Sequence, residues 1–142
     1  VSLYDLLFVE KAVNISQDEE VILFAGTNDI LQGLCLGSMN SNNLQETYPA
    51  LVKILQYLKS QAHRVHVFSP IYSARKSHTE ENMATLIQAL DTICRSEEVS
   101  FYNMYQAGFI HEGNHEQFLY DGLHPNNYGM RRIGEYMLDK LK

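Results

Sequence analysis

Apolar positions along the chain switch repeatedly between a helical spacing and short unbroken runs. Residues 3–13 (LYDLLFVEKAV) carry apolar side chains at helical intervals. Asp18-Glu19-Glu20 breaks that pattern, and Val21-Ile22-Leu23-Phe24-Ala25 follows as an apolar run closed by Gly26. A run of that length without polar residues predicts a strand buried on both faces. Residues 44–60 return to the helical period, with Leu51, Ile54, Leu55 and Leu58 on one stripe. Residues 65–69 (VHVFS) predict a second strand, stopped by Pro70. A helix is expected over 79–95, opened by Thr79 as a cap with Asn82 or Glu81 near the capping-box offset. Residues 99–103 predict a third strand, and 126–141 a closing helix. Alternation of this kind predicts an α/β fold, a parallel sheet with helices on both faces. No repeat, low-complexity tract or linker interrupts it, so residues 1–142 read as one domain. The wholly apolar 21–25 run reads as a central strand, yet only three strands are predicted. A neighbour for it is therefore expected from outside this chain, and the bare edge invites self-association.

Composition narrows the function classes. The formal net charge of −6 supplies no general attraction for nucleic acid or anionic membrane, and no Lys/Arg run marks a basic patch. No apolar run is long enough to span a membrane. With no leader sequence evident, the expected location is cytoplasmic. Cys35 and Cys94 are too few for a disulfide framework and are expected to be buried small hydrophobes.

Candidate chemistry concentrates in two places that the strand pattern sets beyond carboxyl ends of strands, where open α/β sheets place their reactive groups. In Asp121-Gly122-Leu123-His124-Pro125, proline keeps His124 extended and suits the first turn of the following helix. Gly122 permits a tight bend. A carboxylate three residues before the histidine can accept from its Nδ1–H and leave Nε2 as a general base. In Gly26-Thr27-Asn28-Asp29, glycine allows close backbone approach, and the Asn28 amide is a neutral donor suited to a developing oxyanion. Asp29 reads as a turn or capping residue. Turn chemistry alone also accounts for a Gly/Asn/Asp cluster, and helix entry for an Asp-x-x-His.

Taken together, Gly-x-Asn-Asp after an apolar strand and Asp-x-x-His-Pro before the last helix, about 90 residues on, resemble the SGNH (GDSL-type) hydrolase family. VILFAGTNDI and FLYDGLHPNNYG also look like the esterase domains in the first open reading frame of some animal non-LTR retrotransposons. The resemblance implies a three-layer, flavodoxin-like fold and ester hydrolysis by acyl transfer. It assigns Asn28 and the Gly26 turn to the oxyanion hole, His124 as base and then acid, and Asp121 as its orienting partner. It implies no metal or organic cofactor. The partner it implies is an acyl-ester small molecule, such as an acetylated sugar or a lipid ester.

The chain departs from the family at its first two motifs. It contains no Asp-Ser pair, and no glycine precedes Gly26. Truncation at the N-terminus, removing the first strand and the nucleophile, is the expectation that explains both gaps and the missing neighbour of 21–25. Ser38 sits in a Gly/Asn-rich loop that lacks the rigidity a nucleophile needs, and Ser69 reads as a strand-end cap. The functional expectation is an SGNH-type ester hydrolase domain, inactive as this chain. The alternative is a non-catalytic SGNH-like module that recruits protein or RNA. His111-Glu112-Gly113-Asn114-His115 matches a zinc-protease pattern. Gly113 and Asn114 are poor helix formers, however, and no third ligand is evident, so no metal site is expected there.

Overall fold

The structure, a computed structural model, describes residues 2–9, 14–33 and 35–142. Three parallel strands, β1 (Glu20–Phe24), β2 (Arg64–Phe68) and β3 (Ser100–Tyr102), pair in the order β1-β2-β3. Val21 pairs with Val65, Phe24 with Phe68, and Phe68 with Tyr102. The crossovers carry the long helices α3 (Thr47–Gln61) and α4 (Glu80–Ser96), and α7 (Asn127–Leu141) closes the chain. Short helices α1 (Leu3–Val9), α2 (Thr27–Leu31), α5 (Met104–Ala107) and α6 (His115–Phe118) complete the set among the described residues.

Strand alternation divides the core in two. Val21, Leu23, Val65, Val67 and Phe101 pack against Leu3 of α1, Leu51 and Leu55 of α3, and Leu86 and Leu90 of α4. On the other face Phe68 and Tyr102 pack with Met104, Ile110 and, from α7, Ile133 and Tyr136. Helix, sheet and helix therefore form three layers, the α/β arrangement expected.

Several boundaries move for local reasons. Residues 10–13 of the predicted first helix lie outside the described residues. The second predicted helix starts at Thr47 rather than 44, because the Asn43 side chain takes the N–H of Gln45 and its carbonyl that of Glu46, forming a turn first. Thr79 caps α4 by accepting from the Asn82 N–H at 3.1 Å. The box is not reciprocal: the Asn82 amide donates to the Ser77 carbonyl instead.

Two expectations are corrected. The 21–25 run is not buried on both faces: β1 is an edge strand, and Ile22 and Phe24 are 45% and 41% exposed. They project on the α7 side of the sheet, and among the described residues no further strand pairs with β1. Cys35 is exposed, because the loop between α2 and α3 runs over the surface, whereas Cys94 is buried in α4. Burial pushes the Cys94 thiol up to about 12.

Candidate active site

The residues around Asp121 fold back on themselves. Leu119 and Pro125 form an isolated antiparallel bridge, and the Tyr120 N–H donates to the His124 carbonyl at 3.0 Å. Gly122, at φ 80°, makes the bend between them. Inside it, Asp121 Oδ1 accepts the backbone N–H groups of Leu123 (2.9 Å) and His124 (2.7 Å). Its Oδ2 lies 2.6 Å from His124 Nδ1. A carboxylate can only accept, so Nδ1 carries a proton, and in the neutral ring Nε2 keeps its lone pair. Those donors hold the Asp121 carboxyl far below the usual carboxylate range, the His124 backbone bond contributing most. The Tyr120 ring stacks on the imidazole, centroids 5.6 Å apart. The His124 side chain is 58% exposed, and Nε2 has no partner among the described residues.

Helix α7 anchors the turn. Asn126 caps it by accepting the Gly129 N–H at 3.0 Å, and its own amide donates to the Gln117 carbonyl. Gly129 is required by close approach: a Cβ there would lie 2.2 Å from the Phe118 carbonyl oxygen.

The second turn follows β1. Gly26 caps α2 in the left-handed region at φ 113°, which favours glycine. A Cβ there would lie 3.1 Å from Leu86 and 3.5 Å from Pro70, so the bare Cα also lets α4 and the strand-end proline pack close. Asn28 lies in the first turn of α2. Asp29, read from the sequence as a turn or capping residue, is only 2% exposed. It accepts the Leu3 N–H at 3.1 Å and the Thr47 hydroxyl at 3.5 Å, joining α1, α2 and α3. Burial raises its pKa against the pull of those bonds.

Both turns are held by the segment 69–79 that follows β2. The Ala74 N–H donates to the Gly122 carbonyl at 2.7 Å, and Arg75 Nη2 lies 3.5 Å from Asp121 Oδ2. At the other end, His78 Nε2 donates to the Thr27 carbonyl at 3.1 Å. A groove of about 830 Å³ opens beside this segment, walled by Tyr72, Arg75, Lys76, Tyr105 and Glu112 among others. Its lining is mainly polar and aromatic.

Ser69 is fully buried, accepting the Tyr105 N–H and donating to the Pro70 carbonyl, which fits a strand-end cap. His111 precedes α6 and its Nδ1 accepts the Gly113 N–H, while His115 starts α6, so the two do not share a helix. Among the described residues no cluster of three or more His, Cys, Asp or Glu could hold a metal. No helix among them is long and apolar enough to cross a membrane.

His66, His78 and Asp29 carry no local sequence signal, because their partners lie far along the chain. His66, on the central strand, joins Glu20 of β1 through Nε2 (2.8 Å) and the Tyr102 hydroxyl of β3 through Nδ1 (3.2 Å). This network ties the strands together away from the two turns.

A parallel α/β sheet with an Asp-x-x-His turn before its last helix, beyond the strand ends, defines a hydrolase-type architecture. The GDSL-like lipase/acylhydrolase family matches residues 7–132, and the chain belongs to that family. A search of curated protein sequences finds no match. Among solved structures, a protein from Lactobacillus plantarum superposes with a TM-score of 0.77 at 20% identity, over 86% of this chain and 65% of that one. A lipase/acylhydrolase from Enterococcus faecalis gives 0.73 at 19% identity, over 99% and 70%. The acetylxylan esterase Axe2 from Geobacillus stearothermophilus gives 0.71 at 14% identity, over 98% and 67%. Catalytic mutants of Axe2 replace a serine, or an aspartate or histidine that stand three positions apart. The chain thus spans about two thirds of the length of these neighbours.

Proposed function

We propose that this chain carries the acid–base pair and the oxyanion asparagine of an SGNH-type ester hydrolase, and is without hydrolytic activity on its own. The 2.6 Å bond between Asp121 Oδ2 and His124 Nδ1 carries the reading. It sets the tautomer in which Nε2 takes a proton from an attacking hydroxyl and returns it to the leaving alcohol. Asp121 stays ionised and balances the imidazolium formed in that step. Asn28 donates its side-chain amide to the tetrahedral oxyanion. The Axe2 mutants support the pairing, since an aspartate and a histidine at the same spacing are catalytic positions there. Membership of the family supports an acyl-ester small molecule as the substrate class.

The attacking hydroxyl has no evident source in this chain, which contains no Asp-Ser pair. Loss of a triad nucleophile costs on the order of a million-fold in rate. Purified protein is therefore expected to hydrolyse p-nitrophenyl acetate no faster than its His124→Ala variant. A rate that His124→Ala abolishes overturns the inactivity. The pair itself is tested by ¹⁵N NMR of the His124 ring, expected as the Nδ1–H tautomer in the parent and mixed in Asp121→Asn. An unchanged tautomer in Asp121→Asn defeats the acid–base assignment.

A further inference from the structure

His78 is a buried titratable group that the acid–base pair does not use. It is 6% exposed, in the segment between β2 and α4. Its Nε2 meets the Thr27 carbonyl at 3.1 Å, and its Nδ1 meets Ser77 Oγ at 3.0 Å. The carbonyl can only accept, so Nε2 bears the proton, and in the neutral ring Nδ1 accepts from the Ser77 hydroxyl. Burial, the largest influence, and the nearby Arg75 charge both lower the His78 pKa against the opposing pull of the Thr27 bond. The neutral ring is the form that can accept at one nitrogen while donating at the other. Hydrogen bonds thus run from Ser77 through His78 to Thr27, across 51 residues of sequence at the last step.

The Thr27 carbonyl and the Asn28 N–H belong to one peptide plane. That plane lies in α2, a helix of five residues whose cap, Gly26, contributes no side-chain hydrogen bond. So short a helix has little stability of its own. An external bond to its first carbonyl restrains the backbone from which the Asn28 side chain projects. We propose that His78 is a positioning residue for Asn28, gripping the Thr27–Asn28 peptide through Nε2, with Ser77 holding the opposite side of the ring at Nδ1. The inference rests on the assignment of Asn28 to the oxyanion hole. It adds that the loop after β2 sets the amide's direction, and that the same loop, through Ala74 and Arg75, also meets the Asp121 turn.

The test uses ¹⁵N-labelled full chain, with the Asn28 side-chain amide and the His78 ring nitrogens as reporters. His78→Gln places an amide N–H near the position of Nε2 and is expected to keep the Asn28 resonances close to the parent's. His78→Phe fills the ring's volume without a donor and is expected to move them by more than a linewidth. The His78 ring is expected as a single Nε2–H tautomer in the parent, set by the Thr27 carbonyl. Asn28 resonances unchanged in His78→Phe, or moved as far by His78→Gln as by His78→Phe, overturn the proposal. If His78→Phe fails to fold, the parent's His78 ring spectrum decides: an Nδ1–H tautomer or a mixture overturns the grip. The His124 ring spectrum separates the two levels. Its failure to respond to Asp121→Asn defeats the acid–base reading and leaves the His78 grip standing, whereas an unresponsive Asn28 defeats only the grip.

Discussion

At Asp121 two backbone N–H groups and one imidazole converge on a single carboxylate, and its pKa falls well below the ordinary 3.8. A depressed carboxylate contributes stability that is fully present above the unfolded value and lost as pH drops through the folded one. The amide resonances of Leu123 and His124 are therefore expected to hold steady at neutral pH and to shift only well below pH 3.8. Asp29 has the opposite environment. It is buried, and its raised pKa means that the folded state holds the proton more tightly than the unfolded chain does. Its contribution is greatest below the unfolded value, and stability declines as pH rises through the folded value. Asp29→Ala leaves the Leu3 N–H without its acceptor and is expected to cost about 1–3 kcal/mol in urea unfolding at pH 7. Asp29→Asn retains a carbonyl oxygen for that N–H, carries no buried charge, and is expected to cost less.

Among the described strands, β1 is the one that leaves large apolar side chains exposed. Strands of parallel sheets are ordinarily covered on both faces, yet Ile22 and Phe24 stand open on the α7 side while the outer edge has no partner among the described residues. Tyr136 and Arg132 of α7 meet Phe109, beyond β3. By helical geometry Met130 and Leu138 lie on the opposite flank, and they are 57% and 68% exposed. An apolar edge strand is a template for pairing with another copy. Sedimentation velocity is expected to show association that grows with concentration and weakens in an Ile22→Lys/Phe24→Lys double variant; a parent that stays monomeric at high concentration contradicts this. Helix α4 offers a simpler case. Its Thr79 cap satisfies one backbone donor, and Thr79→Ala is expected to lower stability by about 1 kcal/mol in urea unfolding.

Across the whole molecule, one core layer joins α1, α3 and α4 to the sheet, and Leu90 sits within it at 1% exposure. Leu90→Ala is expected to cost about 2–5 kcal/mol by chemical denaturation, set by how far the surroundings collapse into the cavity. Alternating helices and strands, the parallel sheet and the Asp121–His124 bond could all be anticipated from residue order. Each depends on neighbours a few positions away, or on a hydrophobic period repeated along one element. The exposed face of β1 could not be read that way, because an apolar run looks the same whether or not something covers it. The crowding that a Cβ at Gly26 would meet from Leu86 and Pro70 could not be read either, because both lie far along the chain. Cys35 and Cys94 are alike as residues and differ only in where their elements lie.

Periodicity and local turn chemistry determined the class of fold and the pairing of a carboxylate with an imidazole three residues away, since both are short-range consequences of backbone geometry. Tertiary structure alone decided which distant groups meet: His78 on the Thr27 carbonyl, Asp29 on Leu3 and Thr47, His66 between two other strands. Such contacts span 18 to 51 residues and arise only when crossover helices pack their apolar stripes against the sheet. The physical reason is that a polar side chain's partner is chosen by what the folded core leaves within about 3 Å of it.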